Sequence, residues 1–376
     1  MSVTQSLVEA ATFVGEMTWK TWWALVLGFT VAGAVQAFVS RDEMVDVLGG
    51  GGLREIGLGS FFGFLSSSCS FGAVATTKSL YEKGASPVAS LAAFQFASTN
   101  LVIEIGLVMW ILLGWQFVAA DFFGGVVLIL LLAAIFTYAV PDSWFERARE
   151  HVRDLGGEGG HGHGDDEWAR ESDWTDKLAT VRGWKRTFRN AIDEWSMLWT
   201  DIAAGFVVAG LIKAFVPRSF WTRLFTLAPE GTAAWVFLGC VIGVAVGVLT
   251  FICSVANVPF ALVLWQNGIP FGGVMSFIFA DLIVPHIDNM YRKFYGPRLA
   301  AALFASIFAA AALSGVVVHY AWAGLGLIPQ QGHVGGTAPS GYTTVLNVVF
   351  TVVFLAQVYV AFFESGGERE ETAAAD

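Results

Sequence analysis

Gly28-Phe29-Thr30-Val31-Ala32-Gly33-Ala34-Val35-Gln36-Ala37-Phe38-Val39-Ser40 returns 177 residues later as Gly205-Phe206-Val207-Val208-Ala209-Gly210-Leu211-Ile212-Lys213-Ala214-Phe215-Val216-Pro217, with eight of the thirteen pairs identical. Further along, Cys69-Ser70 returns as Cys253-Ser254 and Gly84 as Gly268, now at an offset of 184. The chain therefore contains an internal repeat. Each copy carries a cysteine beside a polar break in an otherwise apolar segment.

The surrounding composition fixes the solvent. Of 376 residues, 55% are hydrophobic and only 14% charged, and the mean hydropathy is +0.62, far from an average soluble domain. Apolar runs long enough to cross about 30 Å of hydrocarbon as helices recur at Thr21–Val39, Leu101–Val118, Phe122–Val140, Ala233–Cys253, Ala300–Ala323 and Val345–Phe363. A membrane barrel would need alternating strands of about ten residues, and that pattern is absent. The expected fold is an all-α polytopic membrane protein. Its fifteen tryptophans fall mostly near the ends of apolar runs, where an interfacial aromatic belt places them. No removable signal precedes the first span. Three cysteines do not make a disulfide framework, and the net charge of −10 resides in loops.

Four segments are expected in each repeat. Residues 17–140 form the first membrane repeat, and its second segment, Glu55–Tyr81, is interrupted by Ser66-Ser67-Ser68-Cys69-Ser70-Phe71-Gly72. Residues 197–323 form the second, with its break at Cys253–Pro259. Residues 343–363 are one extra C-terminal helix. The connector, 141–196, contains the low-complexity piece Gly156–Glu167 and then an amphipathic stretch through Val181, Trp184, Phe188 and Ile192 that reads as a helix on the membrane surface.

Lys and Arg cluster in the connector and again at Arg292, Lys293 and Arg298, which reads as cytoplasmic. Gly324–Tyr342 contains neither and reads as external. Both ends fit only if the second repeat crosses an odd number of times, which makes the repeats inverted, with the N-terminus outside. Four full spans per repeat in parallel would instead put Arg292, Lys293 and Arg298 outside.

Several polar constellations sit inside this apolar frame. Ser67, Ser68, Cys69 and Ser70 in one break, and Cys253, Ser254 and Asn257 in the other, favour local backbone bonding over a regular helix. Pro259 is expected to break the second near Val255. Freed backbone groups at membrane depth are tolerated in protein or around a water-filled cavity, so the two breaks are expected to share one. Two sulfurs meeting there would suit a soft centre such as trivalent arsenic or monovalent copper. A packing kink is the competing reading, and Cys240, which has no counterpart, reads as an inert buried thiol. The third segments are polar too: Gln95, Ser98, Thr99, Asn100 and Glu104 in one, Asp281, Pro285, His286, Asp288 and Asn289 in the other. By the 184 offset Asp281 aligns with Ala97, so the acids are not equivalent. Glu104 and Asp281 are the ionisable groups expected at membrane depth, where such residues are functional candidates for proton exchange. His161 and His163 beside Asp165, Asp166 and Glu167 would at most bind a divalent metal weakly. No P-loop, dinucleotide, nucleophile-elbow or zincin fingerprint is present, so an enzyme, a cofactor or a nucleic-acid partner is not expected.

The serine/cysteine break, the turn Lys83-Gly84-Ala85-Ser86-Pro87, the stretch Ala97-Ser98-Thr99-Asn100 and the second Cys253-Ser254…Asn257-Val258-Pro259 copy resemble the predicted-permease family that includes the organoarsenical efflux permeases. The resemblance spans about residues 17–323. It implies export of trivalent organoarsenicals, with Cys69 and Cys253 at the motif positions that would act as ligands. The expectation is a multi-pass permease of a prokaryotic plasma membrane. It would move a small-molecule or metalloid solute by alternating access between two half-barriers, as inverted-repeat carriers do. A membrane thiol-redox or metal-handling protein using Cys69 and Cys253, and a passive channel, are the alternatives.

Overall fold

The computed structural model describes residues 3–38, 48, 52–66, 70–156, 180–250, 254–330 and 340–363, and among these it is helical with no strand. Helix α1 covers Val3–Phe38. Helix α2 covers Leu53–Ser66 and α3 covers Ser70–Lys83. Helix α4 opens as a π-helix over Val88–Phe94 and continues as an α-helix over Gln95–Thr99. It is followed by α5, Ile103–Leu112, and α6, Trp115–Tyr138. The connector opens with α7, Asp142–Gly156.

The second half comprises α8, Val181–Phe215, a short α9, Arg218–Phe225, and α10, Ala233–Thr250. Then come α11, Ser254–Gln266, α12, Phe271–Ile278, a 3-10 turn at Asp281–Ile283 and α13, Pro285–Leu325. Helix α14, Ser340–Phe363, stands apart.

Among the described residues α6, α13 and α14 are each long and apolar enough to cross a membrane. Helices α4 and α5, bent by 44° at their junction, meet the same test as a pair. Residues 88–118 are therefore bent at Asn100–Val102 and turned again at Gly114, whose φ of 97° lies in the left-handed region open to glycine, so the apolar run expected over Leu101–Val118 is divided. The next span begins at Trp115, seven residues before the run expected from Phe122. In the second half Gly296, at φ 79°, kinks α13 ahead of Pro297 in the same manner. Pro259 does not break its helix. It lies inside α11, because its fixed φ is compatible with helical backbone even though one amide donor is lost. The amphipathic stretch after residue 180 is helical but not separate, since α8 runs through it and the next apolar span without interruption.

Glycines set the packing. A Cβ at Gly59 would collide with the Ala89 carbonyl, and one at Gly243 with the Gly273 carbonyl; both residues of each contact differ by 184. Gly63 and Gly247, one turn on, press in the same way against Phe94 and Phe277. Helix α2 thus lies on α4 as α10 lies on α12, in the small-xxx-small mode that lets membrane helices approach backbone to backbone. Between the halves, Gly33 abuts Thr187 and Ala191, while Gly210 abuts Ala10 and Val14. The beginning of each long helix meets the end of the other, so α1 and α8 pack antiparallel. The contact is reciprocal at the offset of 177 (10 with 187, 14 with 191, 33 with 210).

The bundle has two ends. At one, Arg149 donates to the Ala85 carbonyl at 2.7 Å, Tyr81 donates to the Phe145 carbonyl, and the His151 ring meets the Lys293 carbonyl at 3.1 Å. This end gathers the Gly84 turn, α7 and the Gly296 kink. At the other, Trp322 donates to the Gln116 carbonyl at 3.1 Å, and Phe117 packs on Trp265 and Phe271 with ring centroids 5.4 and 4.6 Å away. That end gathers the Gly114 and Gly268 turns. Helix α14 lies across α1 and α8, held by Trp22 to Thr351, Asn347 to the Trp19 carbonyl and Gln357 to Thr30. Only 11% of its apolar window is buried.

Candidate functional site

The two halves of the chain meet at a pair of serines. Ser70 belongs to α3 and Ser254 to α11, and their hydroxyl oxygens are 3.3 Å apart. Both face one carboxylate, Asp281. Ser254 donates a hydrogen bond to its Oδ2, Ser70 lies 3.5 Å from the same oxygen, and Asn100 Nδ2 donates to Oδ1 at 2.8 Å. Asn100 also donates to Thr99 Oγ1 at 3.1 Å. Ser70, Ser254, Asn100 and Asp281 are all buried.

The local sequence explains this convergence. Asn100 and Asp281 each stand where a short helix entering from one end of the bundle stops. Val102 and Val284 are extended, and a second helix then departs from each. Such discontinuities leave amides and carbonyls free at mid-depth, where side chains must satisfy them. The hydroxyl and amide donors directed at Asp281 favour its charged form. An isolated carboxylate at this depth would be costly; this one is built into a hydrogen-bonded cluster.

The structure thus brings together Ser70, Ser254, Asn100 and Asp281 from the expected set. Asn257, three residues into α11, is fully buried. Glu104 occupies the first turn of α5, buried where a Cβ at Gly28 would strike its own side chain, so α1 and α5 touch at this acid. Ser67, Ser68, Cys69 and Cys253 lie outside the described residues. Gln95 donates to the Tyr291 hydroxyl close by. Cys240 is buried beside Ser276. No group of three or more metal-ligating side chains occurs among the described residues.

One buried acid went unread in the sequence. Asp121 is fully enclosed on the inward face of α6, between Phe117 and Gly125. An apolar run taken to begin at Phe122 puts Asp121 at a span boundary, where an acid is unremarked. The usable signal was the aromatic Trp115-Gln116-Phe117 before it, which belongs to the same helix.

A bundle of apolar, interrupted helices around a buried polar centre defines a multi-pass membrane transporter. Residues 6–320 match the family model ArsP_1, described as predicted permease, and the chain belongs to that family. It is 39% identical over 334 residues to "Putative permease Rv2963" of Mycobacterium tuberculosis, a match that covers 88% of this chain and 81% of the relative. No solved structure matches.

Proposed function

We propose that this protein is an alternating-access permease whose substrate contacts the Ser70–Ser254–Asn100–Asp281 centre. Residues 17–140 and 197–323 would form inverted halves joined by the 141–196 connector, with 343–363 as an added helix. The observation that carries the reading is the meeting of Ser70 and Ser254, 184 residues apart, which touch each other and one carboxylate. A centre built from both halves changes its access when one rocks against the other. The inversion is supported by the antiparallel α1–α8 pair, whose reciprocal contacts are those of a two-fold axis across the helices. It is supported too by the equivalent Gly84 and Gly268 turns, which stand at opposite ends. The end carrying α7, Arg292, Lys293 and Arg298 is cytoplasmic in this arrangement.

The finer reading is export of a thiophilic solute such as a trivalent organoarsenical, with Ser67, Ser68, Cys69, Cys253 and Asn257 completing the site and Glu104 and Asp281 coupling flux to protons. The test is flux of phenylarsonous acid into inverted liposomes holding the purified chain, with and without a pH gradient. Saturable uptake that depends on the gradient is expected and is lost in Asp281→Asn. Flux that neither saturates nor responds to the gradient would point to a channel instead. For topology, Arg292→Cys and Gln330→Cys in a cysteine-free background are compared with an impermeant thiol reagent on whole cells. Gln330→Cys should label and Arg292→Cys should not; the reverse result removes the inverted arrangement.

A further inference from the structure

We propose that Asp121 is the proton carrier of this permease, held protonated beside a charged Asp281. The proposal rests on the proton-coupled reading given above and deepens it: Asp281 couples flux to protons through its charge, and Asp121 carries the proton itself. It starts from an imbalance between two buried carboxylates. Asp281 has an amide donor and two hydroxyls directed at it. Neither oxygen of Asp121 has a hydrogen-bond partner among the described residues, although the side chain is fully enclosed. A carboxylate stripped of water with no donor in exchange is among the most expensive groups to bury. Binding a proton removes that expense.

The position suits the task. Asp121 is the seventh residue of α6, about 9 Å along the axis from its start at 1.5 Å per residue, on the way from the Trp322 end to the Asp281 centre. The residues one turn further in hold α6 against that centre. A Cβ at Gly125 would strike Leu101 and at Gly124 would strike Phe279, the neighbours in sequence of Asn100 and Asp281. Phe117, Trp265 and Phe271 close the outer side.

Few other charges compete. Helices α4, α5, α12 and α13 pack around α6, and α2 and α11 touch it through Phe64 and Trp265; α11 has no ionisable residue, and those of α2, Arg54 and Glu55, stand in its first turn. No ionisable residue occurs in α4 or α12. Helix α5 carries Glu104, which has an interaction partner of its own. On α13, the His319 ring accepts from the Gly272 amide and faces Trp235. His286, Asp288, Tyr291, Arg292, Lys293, Tyr295 and Arg298 belong to its first part, toward the connector end. Asp281 is the acid whose field reaches Asp121. Two like charges in one dry interior do not both persist, and the donors decide which acid stays ionised. In the cycle the Asp121 O–H bond breaks, the proton leaves to water through one opening, and the bond re-forms with a proton from the other side. No redox change is involved.

The test is infrared spectroscopy of the full chain in phosphatidylcholine–phosphatidylglycerol bilayers at neutral pH. A protonated-carboxyl carbonyl band that shifts in D2O is expected in the wild type and in Asp281→Asn, lost in Asp121→Asn and moved in Asp121→Glu. Absence of the band from the wild type, or its persistence in folded Asp121→Asn, overturns the proposal, and the wild-type spectrum decides even if that variant fails to fold. In liposomes, Asp121→Asn should exchange phenylarsonous acid but no longer move protons with it. Retained proton movement, or a sodium requirement in place of the band, overturns it. A wild type that carries no phenylarsonous acid defeats the transport reading alone, and the infrared result still stands for or against Asp121.

Discussion

The two halves of this membrane bundle share a frame and differ in chemistry. Gly59 and Gly243 make the same backbone contact, Ser70 and Ser254 meet at one point, and Gly114 and Gly296 make equivalent turns. Yet the polar end of the third segment is Gln95, Ser98, Thr99 and Asn100 in one half and a single Asp281 in the other. In the alternating-access reading proposed above, an exchange between two conformations related by a two-fold axis requires similar energies for the two packings, which equivalent helix contacts supply. A single substrate and a single charge need only one acid. On this view the frame is held equal by the conformational cycle and the centre is free to diverge.

The strongest way to break the equality is through the glycine contacts. Gly59→Val and Gly243→Val should each destabilise the protein by about 3 kcal/mol, the upper part of the range for overpacking a closed contact, because carbonyl oxygens of Ala89 and Gly273 occupy the space. Gly57→Ala, with nothing within 4 Å of the added atom, should be neutral or slightly stabilising. Thermal unfolding of the detergent-solubilised protein compares the three. Collapse of Gly243→Val beside a normal Gly59→Val would show that the two packings are not energetically alike.

The helical class, the membrane-length spans and the added helix were legible in the sequence because each leaves a compositional mark. The serines where leucines are expected pointed to the centre, since Ser70 and Ser254 meet there. What was not legible depended on register. The offset is 184 at the serines but 182 by Val102 and Val284 and by Gly114 and Gly296. The structure therefore sets Asp281 opposite Thr99 rather than Ala97. Hydropathy cannot show that two residues are missing from one turn. Asp121 was hidden for a similar reason: a boundary drawn on hydropathy excludes the acid that defines it, whereas helix geometry continues through. Pro259 was over-read, since its ring breaks a helix only where the preceding turn cannot accommodate it.

The subtler test of the comparison exchanges the unequal centres. Asn100 donates to Asp281 Oδ1 at 2.8 Å, a charge-assisted bond of the kind worth about 1.5–3 kcal/mol. Asp281→Asn leaves two amides facing each other and removes the charge, while Asn100→Asp sets two carboxylates in contact; each should lower stability and slow transport about tenfold or more, since 1.4 kcal/mol is a factor of ten. In the double variant Asn100→Asp/Asp281→Asn the pair is restored with donor and acceptor exchanged. The amide introduced at position 281 can present its nitrogen to the carboxylate introduced at position 100 and its carbonyl oxygen to Ser254, so the hydroxyl keeps an acceptor. A double-mutant cycle on melting temperature and on phenylarsonous acid flux should therefore show positive coupling in both. Recovery should be incomplete in flux, because Ser70 and Ser254 meet at residue 281 and a carboxylate moved to position 100 would receive neither hydroxyl. Full recovery of flux would mean that the acid works equally well from either half, and the asymmetry of the centre would then be an accident of descent. No coupling at all would mean that Asn100 and Asp281 act separately, and the single polar centre would have to be redrawn as two.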